Sequence, residues 1–241
     1  MNILLLGSQH GTELLGDMLY AYIQKHAVDL LPHITFMIGN PKAHAAGVRF
    51  IESDMNRSYD GTLATYESSR AEYIKHYIEN EKFDVVLDLH STTSKQDPCL
   101  IVKDIYDENR NMIKSLSIDK VIIMKHPVVD TSLIGVFRHS IVIEIYNDDI
   151  VDSLLQTLCN DLRRFIGGDF SQPVEKKGYV INNTILQSSV TREEATAFVN
   201  FEMSDQGYIP ILTGAPKGEN SYEKDTDYLG FKADKETIIT L

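Results

Sequence analysis

The chain has 241 residues, of which 43% are hydrophobic and 24% charged, proportions that fit a globular fold with a sizeable core and exclude disordered, collagen-like or low-complexity chains. Twenty-three Lys and Arg against 35 Asp and Glu give a formal charge of -12, which works against an electrostatic grip on nucleic acid or on an anionic membrane. Cys99 and Cys159, the only cysteines, do not form a CxxC pair and read as reduced thiols. With no signal-peptide pattern and no apolar run of membrane-spanning length, a cytoplasmic location is expected.

The first apolar run, Ile3–Leu6, reads as a strand closed by Gly7. A helix follows from about Glu13 to Ala27, with Leu14, Leu15, Met18, Leu19, Tyr22 and Ile23 on one stripe. A second strand, His33–Ile38, closes at the Asn40-Pro41 breaker, residues 42–61 have little periodicity and predict a long loop, and a helix resumes at Tyr66–Asn80. Short, apolar, β-branched runs at Phe83–Leu89, Cys99–Val102, Val121–Met124 and Ser140–Tyr146 predict strands, with a helix at Glu108–Ser117 between them. The alternation predicts an α/β fold with a mixed, largely parallel sheet and helices on both faces. A helix over Asp149–Phe165 stops at Gly167-Gly168. The pieces after it, Gly178–Ile181, Ala197–Phe201, Pro210–Leu212 and Thr237–Leu241, predict a small β-rich C-terminal domain over 167–241, behind a first domain over 1–166.

His10 and Glu13 sit where the first strand meets the first helix, at the sheet edge where open α/β folds collect ligands. An imidazole and a carboxylate three residues apart suit Zn²⁺, although alone the pair reads as well as a turn residue and a helix-dipole partner. The GSQHG segment lacks the spacing and the Lys-Ser/Thr of a nucleotide loop. A buried-type strand delivers His90 to the same edge, which completes an open three-ligand set. Asp88, two residues earlier, either orients a ligand imidazole or caps a loop. Arg49 and Arg57 supply positive charge in an acidic chain, either for an anionic substrate or oxyanion or as loop salt bridges to Glu52 and Asp54. Glu144 interrupts an apolar strand, so it is either a carboxyl tuned by burial for acid–base work or a solvent-facing edge residue. Arg138 is a further anion contact or a surface arginine.

In order along the chain, these motifs resemble the aspartoacylase and succinylglutamate desuccinylase family of zinc hydrolases, which is related to the zinc carboxypeptidases. Its HGxE motif is matched by His10, Gly11 and Glu13, and its NPxA and RxxxxDxNR blocks by Asn40, Pro41, Ala43, Arg49, Asp54, Asn56 and Arg57. Its DLH motif, with two threonines after one residue, is matched by Asp88, Leu89, His90, Thr92 and Thr93, and Glu144 falls on its IE-containing strand. Thr12 departs from the family's Asn, and the chain is shorter than typical aspartoacylases. The resemblance implies a zinc hydrolase domain over 1–166 and one Zn²⁺ held by His10, Glu13 and His90. It implies Glu144 as general base, Arg49 on the oxyanion, Asn56 with Arg57 on the α-carboxylate, and Arg138 and Tyr222 on a second carboxylate. The substrate implied is a small anionic N-acyl amino acid, N-acetylaspartate-like, with neither nucleic acid nor membrane as partner and with homo-oligomerisation left open. Two alternatives stand beside it: a carboxypeptidase-like or other small-amide zinc hydrolase, and a non-catalytic zinc-binding protein with a vestigial site.

Overall fold

The computed structural model describes residues 1–213 and 228–241. The N-terminal apolar run forms strand β1 (Ile3–Gly7), buried along its whole length, and leads to helix α1 (Leu15–His26). Strand β2 (Ile34–Ile38) runs into α2 (Pro41–Ala46), where Asn40 caps the helix by accepting the Ala43 N–H and Pro41 occupies the first turn. Then come α3 (Tyr66–Glu81), β3 (Val85–Thr92), β4 (Cys99–Val102), α4 (Asp107–Ser115) and β5 (Lys120–Met124). Next are α5 (Leu133–Val136), β6 (Ser140–Tyr146) and α6 (Asp152–Gly167), which ends on Gly168 at φ 74°. The chain finishes with β7 (Glu175–Leu186), α7 (Arg192–Ala197), β8 (Ile209–Ile211) and β9 (Tyr228–Thr240).

The described strands make one sheet in the order β2-β1-β3-β6-β4-β5-β7-β9-β8. Strands β2, β1, β3 and β6 are parallel, β4 reverses against β6, β5 and β7 continue parallel to β4, and β9 and β8 close the far edge antiparallel. One face, with Ile3, Leu5, Leu87 and Ile141, packs against Leu19 and Ile23 of α1 and Leu155 and Leu162 of α6. On the other face α3 covers Leu4, Leu6 and Val86 through Ile74 and Ile78. Farther along that face, Ile101, Ile122 and Val142 pack with Tyr179 and Phe231. The expected mixed sheet with helices on both faces is present, and the region after residue 167 is rich in strands that join the same sheet, since Lys177–Ile181 pair with Lys120–Met124.

Two details differ from expectation. Residues 197–201 are not a strand: Thr191 and Glu194 form a reciprocal capping box that starts α7, and the chain leaves that helix through a turn with Phe201 at φ 67°. The loop after Asn40 holds α2 and a single helical turn at Met55–Arg57. No helix among the described residues is long and apolar enough to cross a membrane.

Candidate metal centre and active-site cavity

Strands β1, β3 and β6 are adjacent and parallel, so their carboxyl ends open at one edge, where register sets His90 beside Glu144. From β1 the chain turns sharply at Ser8, which is in the left-handed region (φ 50°), and the Ser8 hydroxyl holds the turn by donating to the Glu13 carbonyl. The Glu13 N–H donates back to the His10 carbonyl. Glu13 therefore meets His10 through a turn, not on the first turn of a helix: α1 begins only at Leu15. Gly11 makes that turn possible, because a Cβ there would lie 2.2 Å from the Ala43 carbonyl carbon, while the Gly11 N–H bonds to the Arg49 carbonyl at 3.0 Å.

Glu13 sits between the two imidazoles. Its Oε1 is 2.7 Å from His10 Nδ1 and its Oε2 is 2.7 Å from His90 Nδ1. One donor atom from each of the three buried residues falls within 4.8 Å of the others. The far nitrogen of each ring faces another carboxylate: His10 Nε2 is 2.9 Å from Asp54 Oδ1, and His90 Nε2 is 3.1 Å from Asp88 Oδ1, a close contact not aligned as a hydrogen bond. Two nitrogens and a carboxylate converging on one point, each ring backed by an acid, is a donor set that fits Zn²⁺. Burial opposes ionisation of Glu13, but His10 and His90 outweigh it and hold the carboxyl well below the usual carboxylate range. Burial likewise pulls both imidazoles down, and the carboxylates of Glu13, Asp54 and Asp88 more than offset it, so both histidines titrate above the ordinary value.

The support behind Asp88 was not legible in the sequence. Asp88 is fully buried and its Oδ2 accepts from Gln9 Nε2 at 2.5 Å, while Gln9 Oε1 accepts from the Tyr59 hydroxyl at 2.7 Å. A buried chain of dipoles thus runs from Tyr59 through Gln9 to the acid that faces His90. Gln9 adjoins His10 in sequence, which was a signal of place but not of role; Tyr59 gave none.

Glu144 is not an edge residue, since β6 lies between β3 and β4. Its side chain lines a cavity of about 690 Å³ together with His10, Glu13 and His90. Burial, reinforced by the nearby Glu13 carboxylate, pushes Glu144 up to about 7 against the opposing pull of the two imidazoles and Arg49.

The long loop brings Arg49, Asn56 and Arg57 to the same cavity. A further buried acid, Glu67 on the first turn of α3, organises this loop by accepting the N–H groups of Ile51, Glu52 and Ser53 and the side-chain amide of Asn40. Arg49 lies 3.1 Å from Glu13 Oε1 and 3.7 Å from Asp54 Oδ2. Arg57 donates to the Asn56 carbonyl at 2.6 Å, and the Asn56 side-chain oxygen is buried without a partner in the cavity wall.

Arg138 is not brought to the cavity. It precedes β6 and stacks on the Tyr106 ring at 4.9 Å, with Glu108 4.0 Å away. Arg138 sits in the turn before β6, and the extended chain from Ser140 to Glu144 spans about 13 Å, so the two lie toward opposite ends of the strand. Tyr222 lies outside the described residues.

The mixed, mostly parallel sheet with helices on both faces has the zinc carboxypeptidase-like class of fold, and it carries an imidazole–carboxylate–imidazole cluster at the carboxyl ends of its parallel strands. Murine aminoacylase 3 superposes with a TM-score of 0.69 at 20% identity, covering 100% of this chain and 96% of that one. The succinylglutamate desuccinylase of Chromobacterium violaceum superposes at 0.67 and 14% identity, covering 100% and 84%. In sequence, aspartoacylase of Xenopus tropicalis is 24% identical over 251 residues, 89% of this chain and 79% of its own length. An N-acyl-aromatic-L-amino acid amidohydrolase (carboxylate-forming) of Rattus norvegicus is 31% identical over 120 residues, 42% of this chain and 36% of its own length. Residues 1–140 match the succinylglutamate desuccinylase/aspartoacylase catalytic domain. The chain belongs to that family.

Proposed function

We propose that the protein is a Zn²⁺-dependent amidohydrolase that splits an N-acyl amino acid into a carboxylate and a free amino acid. The observation that carries this reading is the convergence of His10 Nδ1 and His90 Nδ1 on the two oxygens of Glu13, with Glu144 beside His90 in register at the same cavity. The amidohydrolase and aspartoacylase relatives support it. His10, Glu13 and His90 would hold one Zn²⁺ per chain, which when bound supplies Lewis acidity to polarise the amide carbonyl and acidify water. Glu144 then takes the proton of the attacking water and returns it to the leaving amine, a role suited to a carboxyl tuned to about 7. Arg49 turns its guanidinium to the tetrahedral oxyanion, and Asn56 with Arg57 binds the α-carboxylate. Arg138, at the far end of β6, has no part in this assignment.

Elemental analysis and a substrate panel test the reading. The purified protein should hold about one zinc per chain, and His10→Ala and His90→Ala should each empty the site. Release of free amino acid from N-acetyl, N-succinyl or N-formyl amino acids should require the metal. Full zinc content in both variants would refute the ligand assignment, and a zinc-loaded protein inert on every amide would refute the activity.

A further inference from the structure

The cavity extends beyond the polar cluster, and the pairing of strands determines what lies there. His90, Glu144 and Cys99 form one row across β3, β6 and β4; two residues back on β6, the next row holds Asp88, Val142 and Ile101. Ile101 pairs with Ile122 on β5, which sets Met124, two residues on, on the same face. The cavity therefore passes directly from Glu144 onto the side chains of Val142, Ile101 and Met124, and Val129, Ile134 and Phe231 close around them. All six are at most 8% exposed and belong to one packed apolar cluster. Ser132, the polar neighbour beside Val129, has its hydroxyl engaged in donating to the Val129 carbonyl.

Among the described residues, positive charge in the cavity lies at the other end. Among the described residues that line the cavity, the only Lys or Arg side chains are Arg49 and Arg57, both on the loop beside the metal ligands. Lys120 on β5 pairs with Asp97, Lys125 just after β5 pairs with Asp104, and Lys232 on β9 lies over the Tyr208 ring; none of the three lines the cavity. A carboxylate placed on the apolar floor would lose its water without gaining a cation from the described residues and would approach the Glu144 carboxyl. A hydrocarbon or aromatic group placed there loses only unfavourable hydration.

We infer that the cavity beyond Glu144 is a subsite for an uncharged, apolar group of the substrate, borne on either the amino-acid side chain or the acyl chain, and not for a second carboxylate. The inference rests on the amidohydrolase reading for which bond is cut, and it replaces the acidic, N-acetylaspartate-like substrate implied by resemblance with an apolar one.

The test uses the zinc-loaded full chain and two substrate series: N-acetyl derivatives of Ala, Leu, Phe, Asp and Glu, and N-acetyl, N-butyryl and N-hexanoyl alanine. At least one series should climb ten-fold or more in kcat/KM with apolar size, and which one climbs identifies the group that fills the subsite. The Asp and Glu derivatives should lie at least 100-fold below the best substrate. A best rate on Asp or Glu, or two flat series, overturns the inference. If nothing is hydrolysed, the hydrolase reading fails on its own, and titration calorimetry with the same compounds still decides: ten-fold tighter binding of the Leu, Phe or hexanoyl compounds supports the subsite, and equal or tighter binding of the Asp compound overturns it. Met124→Lys should move the ranking at least ten-fold toward Asp, and Met124→Ala, which keeps the floor uncharged, should only shift the preferred apolar size. An unchanged ranking in folded protein with both substitutions also overturns it.

Discussion

The two halves of the site rest on different kinds of backbone. His90 is delivered by a strand in the middle of the sheet and its side chain is 4% exposed, whereas Arg49 comes from the loop between α2 and α3 and its side chain is 53% exposed. The buried half is held by its own contacts: His90 faces Asp88, which Gln9 and Tyr59 hold in turn, and His10, on the turn after β1, faces Asp54, the one acid here that comes from the loop. In the loop-borne half the exposed Arg49 rests on Glu13 and Asp54. Buried, hydrogen-bonded groups pay little reorganisation during a reaction, while exposed guanidiniums are free to follow charge as it develops. Under the proposed function, metal and proton chemistry fall to the buried half and substrate anions to the loop arginines.

The largest effect expected from breaking that division is at Glu144. Glu144→Gln should cut kcat by about 10³, within the range of general-base catalysis, and leave the zinc content unchanged. Because the base must be ionised, activity in the parent protein should fall as pH drops, with an acidic limb at or below about 7 because the added dication favours the charged form of Glu144. On the loop, Arg49→Ala should lower kcat by about 10² to 10³, as loss of an oxyanion donor does, whereas Arg57→Ala should raise KM with little change in kcat. Steady-state kinetics that show Arg57→Ala acting on kcat alone would merge the two roles.

Glu67 offers a way to disturb the loop without touching the metal. Glu67→Ala leaves three backbone N–H groups without their acceptor and should raise KM about ten-fold while zinc stoichiometry holds at one. An effect of similar size falls on the sheet half. Tyr59→Phe removes the hydroxyl that orients Gln9 and should weaken zinc binding about ten-fold, read by competition with a chelating dye, and shift the visible spectrum of the Co²⁺-substituted protein. Unaltered zinc affinity in that variant would limit the Tyr59–Gln9–Asp88 chain to a packing role.

The strands that carry the site were legible because their apolar, β-branched runs end in polar residues that cannot continue a core, as in VVLDLH before Ser91 and IVIEIY before Asn147. The His10, Glu13 and His90 cluster was legible because metal ligation restricts residue type and spacing together. Glu67 was not, because an acidic residue in the first turn of a helix is what the helix dipole favours in any case, and its partners are 14 to 27 residues away. Gln9 and Tyr59 are separated by 50 residues and join only when the Met55–Arg57 turn folds against β1. Residues 197–201 carried apolar side chains that resembled a strand, but the capping box upstream decided the local structure. Arg138 lies outside the cavity lining for a geometric reason: it sits in the turn that starts β6, whereas Glu144 is near the strand's other end.

Gly11 gives the two halves a common datum. With no space for a side chain against the Ala43 carbonyl and with its N–H tied to the Arg49 carbonyl, the turn that holds His10 and Glu13 is pressed onto the backbone that launches the arginine loop. Side chains on the loop can swing, but their point of attachment is tied to the turn that holds His10 and Glu13. Under the proposed function the site then works as a gauge of fixed length: it measures the gap between the amide to be cut and the carboxylate to be held. A β-amino acid conjugate, longer by one methylene, has to bend itself to fit, because backbone packed against backbone has no slack to yield.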